Sequence, residues 1–206
     1  VVENKFDKSY FVGGTKSNYI DYRQKKYDGL AKSLINELSL KKEDRILDFG
    51  CGTGALLHEL FEIGIRDTRG TDASTWAVNF GREQYGFSFE QLQYLNMNLF
   101  AARMWDYVFA LDVAEHLGNA DLGVFFDMIE QYPPNKGVVV RIPVAQEDGG
   151  AYVLPVSEND PTHIQRLTRA SWVESFEQRG YTLTKLFNTE PFIWDTPGVL
   201  AGVFKK

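Results

Sequence analysis

The apolar positions between Tyr19 and Leu40, namely Ile20, Tyr27, Leu30, Leu34, Ile35 and Leu38, recur mostly three, four or seven residues apart and predict an amphipathic helix. A different pattern follows. The run RILDFG, Arg45 to Gly50, is short and apolar with an acid near its end; a glycine cluster comes next, then ALLHELFEIG, a helix with its stop at Gly64. The alternation then repeats. DTRGTD predicts a second strand ending at Asp72, followed by a helix capped by Ser74 or Thr75 and running to about Gln84. FEQLQYL, WDYVFAL and GVVVRIP predict the third, fourth and fifth strands, with a helix over DLGVFFDMIEQY before the fifth. The central runs are apolar almost throughout, as expected of parallel strands covered by helices on both faces.

Beyond Pro143 the pattern changes: the irregular stretch VAQEDGGAYVLPVSENDPTH precedes a helix near Arg169 to Arg179 and two strand-like runs, YTLTKLFN and GVLAGVFKK. Only about nine residues join those two runs. Parallel neighbours need a crossover of about a dozen residues or more, so an antiparallel hairpin is expected at the end of an otherwise parallel sheet. The fold class read from this order is α/β, a doubly wound, mostly parallel sheet, with no internal repeat and no linker that would mark a second domain.

Composition narrows the classes of function. The 206 residues carry 22 basic and 28 acidic side chains, a net charge of −6, and the longest basic stretches are the pairs Lys25–Lys26 and Lys41–Lys42. Bulk nucleic acid is therefore not an expected partner. One cysteine, Cys51, and three histidines at positions 58, 116 and 163 build neither a disulfide framework nor a Cys/His zinc site. A reducing cytoplasm is the expected compartment. The apolar runs have strand length and no export signal opens the chain, so no membrane association is expected.

The strongest chemical signal is DFGCGTG, Asp48 to Gly54, at the first strand-to-helix turn, where ligands of α/β sheets bind. Gly50 and Gly52 let the backbone turn tightly and approach a ligand, and the helix start behind them offers N–H groups. Two ligands compete. Gly50, Gly52 and Ala55 satisfy the dinucleotide pattern, with Asp72 about twenty residues on for a ribose, which would suit a nicotinamide-dependent oxidoreductase. Asp48, two positions before the first glycine, instead favours a cationic ligand over a pyrophosphate.

The combination ILDFGCGTG, then GTDAS closing the second strand, then WDYVFALDVAEHL on the fourth strand and its exit, resembles the class I S-adenosylmethionine-dependent methyltransferases over Arg45 to the C-terminus. The resemblance implies a seven-stranded sheet with the last strand antiparallel, helices on both faces, and S-adenosylmethionine as cofactor, S-adenosylhomocysteine as product. It implies that Asp48, Gly50, Cys51 and Gly52 surround the methionine part and that Asp72 meets the ribose hydroxyls. It further places Ala73, Leu111, Tyr19 and Asn96 at the cofactor, Asn96 (or Asn98) of LNMN standing where many members carry an acid for the adenine amino group. On this reading residues 1–44 form a lid and helix, 45–143 the cofactor-binding half, and 144–206 the acceptor-side loop, helix and hairpin of one domain.

Methyl transfer needs alignment of nucleophile and methyl group, and a base when the acceptor is a hydroxyl or a protonated amine. His116, beside Glu115, and His163, in DPTHIQRLT, are the candidate bases; each has a structural role as its alternative. His58 is expected on a helix surface. Glu147, Asp148, Glu158 and Asp160 are candidates for a polar acceptor pocket, and Tyr10, Phe11, Tyr19 and Tyr22 with Gly13–Gly14 for an aromatic lid or for plain packing. Trp172, Phe176 and Tyr181 are expected in the core. No Asn/Asp-Pro-Pro-aromatic turn follows the fourth strand and the only thiol lies in the glycine loop, which argues against base methylation of nucleic acids. Asp112, Glu115 and Asp160 offer oxygen ligands for a metal-assisted catechol-type reaction, which stays an alternative, but no recognisable ligand spacing supports it and no metal ligand is assigned. The expected acceptor is a small polar molecule, hydroxyl preferred over amine and sugars among the leading classes; a noncatalytic binding module on the same fold is a further alternative. Oligomeric state is not legible in the sequence.

Overall fold

The computed structural model describes residues 5–13, 17, 21–24 and 27–206. Its sheet is built from β1 (Ile46–Phe49), β2 (Thr68–Asp72), β3 (Leu92–Tyr94), β4 (Tyr107–Leu111), β5 (Gly137–Pro143), β6 (Thr182–Leu186) and β9 (Val199–Lys205), in the order β3-β2-β1-β4-β5-β9-β6. The first five strands pair in parallel, while β9 runs antiparallel to both β5 and β6, so the seven-stranded sheet with its reversed last strand is as the resemblance implied. The connection from β6 to β9 holds its own small hairpin, β7 (Asn188–Thr189) with β8 (Ile193–Trp194).

Both sheet faces are covered, and this explains the unbroken apolar runs. Leu47 and Phe49 of β1, Val108 and Ala110 of β4 and Val138, Val140 and Ile142 of β5 pack against Phe125 and Ile129 of α6 (Asn119–Gln131) and Trp172 and Phe176 of α8 (Arg169–Glu177). The alternate residues, Ile46, Phe109 and Val139, pack on the other side against Leu30 and Leu34 of α2 (Asp28–Leu38) and Leu56 and Leu60 of α3 (Ala55–Ile63). With period two and two apolar faces, every residue of β1 is buried. The expected core aromatics Trp172, Phe176 and Tyr181 are buried, and the Phe176 ring stacks on Phe204 with centroids 4.1 Å apart.

Local signals placed most of the remaining elements. Gly64 caps α3 in the left-handed conformation, and the Ser74 hydroxyl accepts from Ala77 N at 3.1 Å to start α4 (Thr75–Tyr85). Two expectations need correction. The helix predicted from Tyr19 begins at Asp28; Tyr22–Gln24 form a 3-10 turn, and Tyr19 and Ile20 lie outside the described residues. Tyr27, which precedes the helix, borders a cleft as well as the core, its hydroxyl donating to that of Tyr22 at 2.5 Å. The third strand is also shorter than FEQLQYL, because Phe89 is 77% exposed with its ring under the Arg82 guanidinium.

Candidate active site

The cleft opens where the chain order reverses, between the ends of β1 and β4, because the segments leaving these neighbouring strands run to opposite sides of the sheet. After β1, Gly50 N and Cys51 N donate to Thr71 O at 2.8 and 3.2 Å, which ties the glycine loop to β2. Gly50 has φ +78°, and a Cβ there would lie 2.4 Å from Val113 Cγ2, so this position admits only glycine without movement of the segment after β4. The Asp72 carboxylate at the end of β2 accepts from Gly52 N and from Ser74 N, both at 2.7 Å. It thus fixes the loop and the start of α4 while each oxygen retains acceptor capacity. Asp48 is buried beneath the loop, and burial together with the charge of Asp72 pushes its carboxyl up to about 7.

These groups line a cleft that opens to solvent. Asp48, Gly50, Cys51, Gly52, Asp72, Ala73, Leu111 and His116 all border it. An adenosine-bearing cation fits this lining: carboxylates at two depths, a backbone with no Cβ in the way, and apolar walls from Leu30, Leu56 and Leu95. Asn96 does not border it; its amide oxygen accepts from Asn98 N at 3.1 Å and its amide nitrogen donates to Gln93 Oε1 at 3.0 Å, so the side chain is engaged in its own turn. Tyr19 lies outside the described residues, as does Gly14.

Aromatic side chains from the N-terminal segment roof the cleft. Phe6, Tyr10 and Phe11, on or beside the short helix α1 (Lys8–Phe11), line it together with Tyr22 and Tyr27. The same rings pack on one another and on α4, Phe11 stacking on Trp76 at 5.5 Å, so the rings that line the cleft are also packed. Phe6 meets the His116 ring edge-on at 5.5 Å.

A second cleft, about 1400 Å³, adjoins the first and shares Tyr10, Asp112, His116 and Arg141 with it. Its far wall is apolar: Leu154 and Val156 from the segment after β5, and Phe192, Trp194 and Pro197 from the β6–β9 connection. Arg141 on β5 forms a bidentate pair with Asp112, Nε donating at 2.8 Å, and its third nitrogen donates to Phe192 O at 2.8 Å. One side chain therefore couples the exit of β4 to the apolar wall. Asp112 holds φ +55°, a left-handed conformation usually taken by glycine and uncommon for other residues, just before Glu115 and His116.

Glu115, His116 and His163 come together between the two clefts. The His116 and His163 rings meet at 4.7 Å, and His163 Nε2 lies 4.0 Å from both Glu115 Oε1 and Asp160 Oδ2. Burial lowers the basicity of both imidazoles, His116 to about 4 with His163 contributing, so both are neutral near pH 7. Burial pushes Glu115 well above the usual carboxylate range. Both histidines singled out in the sequence are thus at the site, and His58 is remote, stacked on Tyr85 at 4.6 Å. The polar pocket expected from Glu147, Asp148, Glu158 and Asp160 is not built. Asp148 accepts from Thr168 N and Ser171 Oγ at the start of α8, Glu158 pairs with Arg166, and Glu147 is exposed; Asp160 alone reaches the cluster. Arg141, Phe192 and Trp194 were missed because strands far apart in sequence bring them here; a lone arginine in GVVVRIP was the one available signal.

Comparison with known proteins agrees with this geometry. A family model described as a methyltransferase domain matches residues 20–186. No match is found among curated proteins. Among solved structures, the methyltransferase domain of bacterial CtHen1-C superposes with a TM-score of 0.61 at 19% identity, covering 86% of this chain and 97% of that one. Magnesium protoporphyrin IX methyltransferase from Synechocystis PCC 6803, with bound S-adenosylhomocysteine, gives 0.58 at 15% identity over 87% and 84%. Human N-acetylserotonin methyltransferase in complex with S-adenosylmethionine gives 0.59 at 17% identity, over 85% of this chain and 51% of that one. At these identities the structural likeness is one of fold, and the family match decides against the nicotinamide alternative. Residues 20–186 take in each of the strand ends around the cleft, β1, β2, β4 and β5, and with them the chain belongs to the class I S-adenosylmethionine-dependent methyltransferases.

Proposed function

We propose that the enzyme methylates a hydroxyl group of a small molecule whose reacting end is polar and whose body is apolar, a sugar or other hydroxylated ring carrying a hydrophobic substituent being the leading class. The observation that carries this reading is the meeting of the two clefts at Tyr10, Asp112, His116 and Arg141, with apolar Leu154, Phe192, Trp194 and Pro197 beyond them. S-adenosylmethionine supplies a methyl group on a positively charged sulfur. Asp72 holds the ribose, Asp48 faces the cationic part, and the aromatic roof excludes water from both clefts. The hydroxyl end lies against His116 and His163, whose neutral imidazoles offer lone pairs toward it. An ammonium acceptor would need to lose a proton and be desolvated beside the Arg141 guanidinium, which favours a hydroxyl over an amine.

The net charge of −6 supports a small-molecule acceptor over a nucleic acid. We read residues 1–206 as one functional domain, since Phe6 near one end and Phe192 near the other border the joined clefts. The lone buried thiol of Cys51 suits a reducing cytoplasm. No helix among the described residues is long and apolar enough to cross a membrane. The test is an acceptor panel matched in apolar body and differing in the reacting group, read out as S-adenosylhomocysteine formed. Preferential turnover of hydroxyl compounds is expected; preference for amines, or for acceptors without an apolar body, would overturn the reading.

A further inference from the structure

The donors and acceptors around the two histidines can be counted. His163 Nδ1 lies 2.8 Å from Ser157 O, a carbonyl that only accepts, so Nδ1 carries the proton and Nε2 is a bare lone pair. The Thr162 hydroxyl donates to Asp160 Oδ1 at 2.6 Å, which leaves its oxygen to accept from His116 Nδ1 at 2.9 Å; Thr162 O, at 3.2 Å, also accepts. His116 is therefore an Nδ1–H tautomer as well, with its Nε2 lone pair unused by these bonds. Glu115 is 1% exposed and its Oε2 has no hydrogen-bond partner among the described residues. One ligand atom from each of Glu115, His116 and His163 lies within 4.8 Å of the others.

Two bare imidazole nitrogens and a buried carboxyl with one unpartnered oxygen thus converge, and a cation at their centre, displacing the carboxyl proton, is what would engage all three at once. We propose that Glu115, His116 and His163 form a site for a divalent first-row transition-metal cation such as Mn²⁺, Fe²⁺ or Zn²⁺. Two imidazoles and a carboxylate select borderline cations over Mg²⁺ or Ca²⁺, which take oxygen shells. The second shell is already in place: each imidazole donates its other N–H to a backbone carbonyl, to Thr162 or to Ser157, as metal-bound histidines do. Ligands about 2.1 Å from a cation stand roughly 3.4 Å apart in a tetrahedron, so closure asks for a contraction of up to about 1.4 Å. The cluster opens to the second cleft, where the acceptor's hydroxyl would complete the cation's shell. The inference rests on methyl transfer at this site and deepens it, since the histidines then orient the acceptor through the ion.

The test is titration of the full chain, with S-adenosylhomocysteine present, by MnCl2, ZnCl2 and MgCl2, followed by calorimetry and by Mn²⁺ electron paramagnetic resonance. One equivalent of Mn²⁺ or Zn²⁺ is expected, with nitrogen couplings from imidazole in the Mn²⁺ spectrum and weaker Mg²⁺ binding. Glu115→Gln and His163→Asn, each checked for folding by circular dichroism, are expected to weaken binding at least tenfold, while His58→Ala leaves it unchanged. No Mn²⁺ or Zn²⁺ binding at millimolar concentration, in protein that binds S-adenosylhomocysteine, would overturn the site and leave Glu115 as a buried protonated acid. Cation binding without S-adenosylhomocysteine binding would support the site and overturn the proposed function instead.

Discussion

Replacing Asp72 by Asn tests the cofactor assignment at the residue where one side chain serves both fold and ligand. Its two carboxylate oxygens each accept one backbone N–H at 2.7 Å, from Gly52 and from Ser74. An amide can accept with only one end, so its NH2 must face one of those N–H groups, donor against donor. Hydrogen bonds to a charged group contribute about 1.5–3 kcal/mol each, so stability should fall by about that amount. A ribose bonded to the carboxylate loses the charge from one bond and the acceptor from the other; taking the net as about 2 kcal/mol, affinity falls roughly 30-fold at 1.4 kcal/mol per tenfold. Calorimetry with S-adenosylhomocysteine isolates this loss, because its neutral sulfur removes the sulfonium charge from the comparison. Affinity within about threefold of wild type, in a variant with native circular dichroism and the lowered Tm, would show that Asp72 serves the loop alone and that the ribose lies elsewhere.

Asp48 predicts a pH dependence with a definite sign: its carboxyl ionises at an ordinary 3.8 unfolded and about 7 folded, so the native state binds the extra proton between those values. Its stabilising contribution is present at low pH and lost as pH rises through about 7; the Tm of the cofactor-free protein should decline over that window and decline less in Asp48→Asn. Gly81→Ala should be severe, since the new Cβ would lie 2.0 Å from Thr53 O where α4 presses on the glycine loop; a loss of about 2 kcal/mol or more is expected in denaturant unfolding, with S-adenosylhomocysteine binding weakened. Arg141→Met releases both Asp112 and Phe192 O, so KM for the acceptor should rise by about tenfold or more while S-adenosylhomocysteine affinity shifts far less, as separate acceptor kinetics and calorimetry would show.

Sequence legibility followed the range of the interaction. Periodicity and glycine spacing gave β1, α3, β2 and α4 nearly residue by residue, because Gly64 and Ser74 act on backbone groups within four positions of themselves. The antiparallel β9 was legible for a similar reason, the shortness of its connection to β6 excluding a crossover. By contrast the place of Tyr27 in the helical spacing did not show that it also borders a cleft, since burial against a site and burial against a core select the same residue types.

What the sequence by itself determined is the α/β order, the loop from Asp48 to Gly54, the acid at Asp72 and the two histidines that the fold brings to the clefts. What only the tertiary structure decided is the pairing of those histidines with Glu115, the tautomer imposed on each by Thr162 and Ser157, the commitment of Asn96 to its own turn, and the apolar wall drawn in by Arg141. The physical reason is one of distance along the chain. A cap, a turn or a strand is set by neighbours a few residues away, whereas a proton's position on His116 depends on a hydroxyl 46 residues distant, and only the folded sheet brings the two within 2.9 Å.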